Sequence, residues 1–185
     1  MWCAQVFSLD GAFSRQWGTR GHGEGELEQP NDMAVSEGEV FVTDKGNHRV
    51  QVFDLEGAYL RQWGYHGKGE GQFMSTEAVA VSEGEVFVAD ARNDRIQVFD
   101  LRGAFVRQWG DPGKEAGQFC FPNSLAVSGG EVFVLNLYNP AVQVCSSVCV
   151  RRCVCVCACV CAVCVCARAC ILACIYAWMY VRGTY

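Results

Sequence analysis

QVFDLEGAYLRQWG, residues 51–64, is one of three near-copies in this chain. The others are QVFSLDGAFSRQWG from Gln5 and QVFDLRGAFVRQWG from Gln97, so the period is 46 residues with no insertion. A repeat of this length, built from several short strands, marks a propeller blade or a related array. Working outward from Gln51, Arg49-Val50-Gln51-Val52-Phe53 alternates in character, as a strand with one drier face does. Upstream lies Val40-Phe41-Val42-Thr43, β-branched and aromatic. Before it comes the apolar run Met33-Ala34-Val35-Ser36, expected to be buried on both faces. Ser36-Glu37-Gly38-Glu39 reads as a hairpin turn with Gly38 at positive φ. Downstream, Tyr59-Leu60-Arg61-Gln62-Trp63 is the outer strand. Each unit therefore predicts four antiparallel strands, and no helix-period segment competes in 1–144.

With these residues in view, VFVTDKGNHRVQVFDLEGAYLRQWG (residues 40–64) resembles an NHL repeat. Asp44, Asn47 and Arg49 fit an Asp-x-x-Asn-x-Arg spacing that returns as Asp90, Asn93 and Arg95. The third copy departs from it, with Asn136 for Asp, Asn139 retained, and Ala141 for Arg. The resemblance implies a β-propeller, commonly six-bladed, that serves as a protein- or RNA-binding platform. The fold expectation is all-β: about three NHL-type four-stranded blades in an incomplete ring over residues 1–145. A low-complexity Cys/Val tail follows over 146–185. The chain enters at a third strand and stops after another third strand near Cys145. The opening and closing strand pairs are thus expected to complete one blade together, or the chain to be a fragment.

Charge divides the chain the same way. Residues 1–144 hold eleven Lys and Arg against all twenty acidic residues, a net −9, while the remainder carries four Arg. An acidic body disfavours nucleic acid and anionic membranes, both of which attract Lys and Arg clusters. The start, Met1-Trp2-Cys3-Ala4-Gln5, shows no basic segment followed by an apolar stretch, so secretion is not expected. Only Cys3 and Cys120 of the 13 cysteines lie outside 145–174, too few for a disulfide framework. A cytoplasmic, reducing setting is the expectation.

The tail reads as low complexity. Alternating Cys and Val is what a TG repeat in DNA encodes, and the Arg, Tyr, Trp, Ala and Met around it are single-base neighbours of those codons. A membrane anchor over 153–181 would place Arg168 near its centre, at about 2.5–3.5 kcal/mol. A zinc site would favour paired Cys-x₂–₄-Cys spacing rather than unbroken Cys-Val. Membrane association is therefore expected only if 153–181 is a tail anchor.

Residues that could carry chemistry are sparse. His22, His48 and His66 all fall in loops, and the repeat equivalents of His48 are Asp94 and Pro140, so no shared ligand set emerges. Propeller lyases that hold a metal with His from several blades are the alternative class. Glu37/Glu39 and Glu83/Glu85 flank tight turns and read as solvated. The expectation is no enzyme, no cofactor and no metal. Asp44, Asn47, Arg49, Asp90, Asn93, Arg95 and Asn139 read as a structural motif: Asp and Asn cap backbone N–H groups and Arg pairs with a carboxylate. Trp17, Trp63 and Trp109 read as packing residues.

Recognition is expected on loops of a rigid scaffold. In a four-stranded meander the turn between strands two and three shares a face with the connections between blades. That face carries Arg20, His22, Lys45, His48, Tyr65, His66, Lys68, Arg92, Asp94 and Lys114, mildly basic against the acidic body. The functional expectation is a non-catalytic scaffold for protein–protein interaction, which the resemblance extends to the recognition part of a ubiquitin-ligase-like protein. A propeller lyase or hydrolase, or an RNA-binding module, is the alternative. A homodimer that completes a six-bladed ring is expected among its partners.

Overall fold

Strands form where the apolar alternation places them. The computed structural model describes residues 2–138 and, as backbone strands, 141–146 and 153–157. Blade 1 is the antiparallel meander Pro30–Ser36, Glu39–Asp44, Arg49–Asp54 and Tyr59–Trp63. Blade 2 repeats it with Thr76–Ser82, Glu85–Asp90, Arg95–Asp100 and Phe105–Trp109. Blade 3 consists of Pro122–Ser128, Glu131–Asn136, Ala141–Ser146 and Cys153–Cys157. Register repeats as well: Val42 faces Gln51, Val88 faces Gln97, and Val134 faces Gln143. The described residues contain no α-helix; two short 3₁₀ turns, Lys45–Asn47 and Ala91–Asn93, stand between strands two and three. The fold is that of β-propeller blades, as the 46-residue period predicts.

Each blade is apolar on both faces, so its alternate side chains enter different seams. Phe41, Val50 and Val52 pack with Phe73, Val79, Val86, Val88 and Phe99 between blades 1 and 2. Phe87, Ile96 and Val98 pack with Phe119, Leu125, Val132 and Val134 between blades 2 and 3. Val40, Val42 and Phe53 meet Leu27, Trp17 and Trp2 on the opening side. Burying such side chains contributes about 1.5–3 kcal/mol each, so the seams carry most of the stability of a repeat array.

The hairpin turns depart from expectation in one respect. Both central residues have positive φ, 52° at Glu37 and 80° at Gly38, and the same holds at Glu83 and Gly84. This is the primed turn whose twist matches the strands it joins.

A larger departure concerns the chain ends. The opening strands Ala4–Phe7 and Phe13–Trp17 form a two-stranded sheet of their own rather than joining the closing pair. Their register slips between Val6 and Phe7, as it does between Val52 and Phe53 and between Val98 and Phe99. They are the third and fourth strands of a blade without its first two. Blade 3 takes its fourth strand from the Cys/Val segment instead, with Gln143 opposite Cys155. Strict Cys-Val alternation suits a strand, and a short connection closes at lower entropic cost than one from the other end of the chain. The rest of the expected tail, including most of the 153–181 segment, lies outside the described residues.

Candidate functional site

The loop face is assembled by buried polar side chains. Asp44 is fully buried, and its Oδ1 accepts the Glu28 backbone N–H at 2.7 Å. Its Oδ2 accepts Asn47 Nδ2 at 2.8 Å, Arg49 Nε at 2.7 Å and Gln51 Nε2 at 2.9 Å. Arg49 then donates to the carbonyls of His22, Gly23 and Glu26 and to Gln62 Oε1, all within 2.9 Å. Asn47 Nδ2 also donates to the Gly21 carbonyl at 3.0 Å. The interblade loop Gly21–Glu28 is therefore held from below by the turn of blade 1. A buried ion pair offsets its desolvation only when the remaining donors and acceptors are satisfied, and here they are.

Blade 2 builds the same device. Asp90 accepts from the Met74 N–H at 2.8 Å, Asn93 Nδ2 at 2.7 Å and Arg95 Nε at 3.0 Å. Arg95 donates to the carbonyls of Lys68, Gly69 and Gln72 and to Gln108 Oε1. In blade 3 Asn136 Oδ1 still accepts the Cys120 N–H at 3.1 Å, but its buried Nδ2 has no partner among the described residues. Ala141 stands where the sequence would place the arginine, so carboxylate and guanidinium disappear together. Asn139 lies outside the described residues.

The residues expected on this face divide into two groups. His22 Nδ1 meets Asn47 Oδ1 at 2.5 Å, Arg20 pairs with Glu28 at 3.0 Å, and Lys45 bridges to Glu77 of blade 2 at 2.7 Å. His48, in the left-handed region with φ 55°, has Nδ1 3.1 Å from the Met74 carbonyl and its ring against His66, centroids 4.7 Å apart. Burial first, and the neighbouring His66 second, hold the His48 imidazole below the usual histidine range. Asp94 Oδ1 accepts the Phe121 N–H at 2.7 Å. Lys45, His48 and Asp94 tie each turn to the following interblade segment, His22 ties the blade 1 turn to the loop before it, and the Arg20–Glu28 pair lies within that loop. The second group points outward: Tyr65 is 62% exposed, and His66, Lys68, Arg92 and Lys114 are also exposed. The five expected cations are thus partly neutralised, with Arg20 and Lys45 committed to carboxylates, and Glu24, Glu70, Asp111 and Glu115 stand exposed on the same loops, so the face is not basic overall. No group of three His, Cys, Asp or Glu able to hold a metal occurs among the described residues.

Sequence reasoning missed three further polar positions. Glu39 is not a solvated turn residue, because Arg61 grips it with both terminal nitrogens and holds its carboxyl below the ordinary range. Glu85 and Arg107 repeat the arrangement. Arg61 also donates to the Leu101 carbonyl of the next blade, as Arg15 does to Leu55. Asp32, on the first strand of blade 1, accepts the Val79 N–H at 3.0 Å, and burial pushes its carboxyl up. The Arg-Gln-Trp word carried a signal for the arginines, because it recurs with the 46-residue period beside the Trp residues read as packing.

Residues 27–53 match the family model of the NHL repeat. They run from the loop residue Leu27, through the Asp44-Asn47-Arg49 motif, to the end of the third strand. This segment is an NHL repeat. The NHL word recurs 46 residues on, where Phe73–Phe99 carries the same motif. A comparison of the sequence with curated proteins finds no match. Among solved structures, virginiamycin B lyase from Staphylococcus aureus, in its catalytically inactive H270A form with quinupristin, aligns at TM-score 0.58 and 13% identity, over 79% of this chain and 46% of that one. Hydrazine synthase from Kuenenia stuttgartiensis aligns at 0.56 and 14%, over 77% and 38%. A streptogramin B lyase aligns at 0.50 and 15%, over 64% and 37%. At these identities the likeness is one of fold. The chain spans less than half the length of each of these structures.

Proposed function

We propose that these NHL blades form a non-catalytic scaffold that binds an acidic protein segment on the loop face. The observation that supports this reading is the division of labour on that face. The buried Asp, Asn and Arg of each motif are consumed in holding the loops, while Tyr65, Lys68 and Arg92 stand exposed on them. A rigid base with an aromatic and two cations at the tips suits an extended acidic peptide, and rim charges of this kind govern association rate and specificity. The NHL resemblance extends the reading to the recognition part of a ubiquitin-ligase-like protein in the cytoplasm. Free Cys3 and Cys120 accord with a reducing setting. Among the described residues no helix is long and apolar enough to cross a membrane.

The test is fluorescence anisotropy of the full chain with a labelled Glu/Asp-rich peptide. Lys68→Glu with Arg92→Glu should weaken binding by roughly thirtyfold, since each of the two cations lost removes on the order of 1 kcal/mol. Undiminished binding would overturn the proposal. A labelled single-stranded RNA that binds with a steep salt dependence would favour the RNA reading. Stoichiometric metal uptake at His48 and His66 would favour a lyase-like activity of the kind named for the Staphylococcus aureus neighbour.

A further inference from the structure

Two equivalent residues join blades 1 and 2 to the segments that follow them, and they do so with opposite chemistry. His48 and Asp94, one repeat apart, share the left-handed conformation at φ 55° and 50°. His48 donates its Nδ1–H to the Met74 carbonyl at 3.1 Å, whereas Asp94 Oδ1 accepts the Phe121 N–H at 2.7 Å. The seam of blades 1 and 2 adds a second titratable ring. His66, on the interblade loop, meets His48 edge to face, with centroids 4.7 Å apart and planes at 71°. Its repeat equivalent at the next seam is Pro112. The two seams are built alike, and only the first has a joint that gains charge in the histidine range.

The loop that His66 belongs to is a compact unit. Tyr65–His66 pairs in parallel with Gln72–Phe73, and the Gly67 N–H donates to the Phe73 carbonyl at 3.1 Å. Gln72 Nε2 donates to the Tyr65 hydroxyl at 3.0 Å. Arg95 holds the loop from blade 2 through the carbonyls of Lys68, Gly69 and Gln72. Toward blade 1 this segment meets His48 twice, through the ring of His66 and through the Met74 carbonyl. The loop at the next seam has the same parallel pair, Asp111–Pro112 with Gln118–Phe119.

Charge on His48 is opposed by burial first, then by His66 and by Arg92 on the turn of blade 2; the Met74 carbonyl and Asp90 favour it. Lys45, on the same turn as His48, is paired with Glu77. The balance holds the imidazole below the usual histidine range, so the folded seam keeps it neutral. A group whose pKa is lowered by folding destabilises the fold when it charges. The seam is therefore complete above about pH 6.5 and weakens as pH falls from there. His66 is exposed, so repulsion between two charged rings is relieved by moving its loop rather than by unfolding a blade.

We propose that His48 and His66 form a pH-sensitive latch between blades 1 and 2. With neutral rings it holds the loop Tyr65–Phe73 against the turn of blade 1. Charge on both rings in acid releases that loop while the blades stay folded. The next seam, with Asp94 and Pro112, stays closed. The released loop carries Tyr65 and Lys68; its bearing on binding rests on the reading of that face given above, and the latch itself does not.

Amide hydrogen exchange of the full chain in reducing buffer, compared at about pH 7.5 and about pH 5.5 and corrected for intrinsic exchange rates, tests the proposal. Protection over 65–74 should fall about fivefold at the lower pH, the upper end for an exposed charge pair. Protection over 111–120 should not change. His48→Asn keeps a neutral donor and the left-handed backbone, which asparagine tolerates. His66→Gln replaces an exposed ring. Each variant should abolish the pH response of 65–74. Protection there that is indifferent to pH, a fall shared equally by 111–120, or a response that survives both substitutions would overturn the latch. None of these outcomes depends on what the loop face binds.

Discussion

Asp90 and Arg95 act as one unit. Arg95 donates to Asp90 and to four further acceptors, and Asp90 is fully buried. Removing the guanidinium leaves a carboxylate in the seam with only neutral donors, and breaking one side of a buried pair costs about 3–5 kcal/mol. Arg95→Ala should therefore destabilise by about that amount in urea unfolding. Adding Asp90→Asn should recover part of the loss, because the uncompensated charge goes with it. The third repeat already contains that double replacement, Asn136 with Ala141. A double variant no better than Arg95→Ala alone would contradict this reading. The motif was legible in the sequence, since Asp-x-x-Asn-x-Arg recurs with the period. Its reach was not: the loop carbonyls of Lys68, Gly69 and Gln72 become visible as acceptors only when the interblade loop folds back on the turn.

At the scale of the element, strand positions followed from alternation and period, but the two-sided burial expected of Met33-Ala34-Val35-Ser36 did not, since Met33 is 46% exposed and Val35 63%. Nor did the coupling between neighbouring sheets. A Cβ on Gly103 would lie 2.6 Å from the Trp63 ring of the preceding blade, and one on Gly57 would meet Trp17 at 2.5 Å. The Trp of each outer strand thus rests on the glycine of the next blade, where the sequence shows only a turn. Gly84, at φ +78°, has nothing within 4 Å, while Gly103, at φ +91°, has the indole. Gly84→Ala should cost about 1–2 kcal/mol, the backbone penalty alone. Gly103→Ala should cost about 1–3 kcal/mol more, from overpacking against Trp63. Equal unfolding midpoints for the two variants would remove the indole contact from the account. The fourth strand of blade 3 escaped sequence reading for a different reason. Cys153–Cys157 alternates like any strand, but its composition points to a low-complexity origin, and composition does not determine pairing.

For the whole molecule, the central claim is that three equivalent blades stack through equivalent seams at a 46-residue period. Blade 2 has a seam on each face, whereas blade 1 meets a half-blade on its opening side. Amide hydrogen exchange of the full chain, read by mass spectrometry, tests that claim most directly, because protection reports the local free energy of opening. Slow amides should recur every 46 residues, in Glu39–Asp44 and Arg49–Asp54, then in Glu85–Asp90 and Arg95–Asp100. Rapid exchange should mark the hairpin tips Glu37-Gly38 and Glu83-Gly84. Protection without that period, or strands of blade 2 exchanging as fast as the hairpin tips, would contradict the stacked-blade architecture.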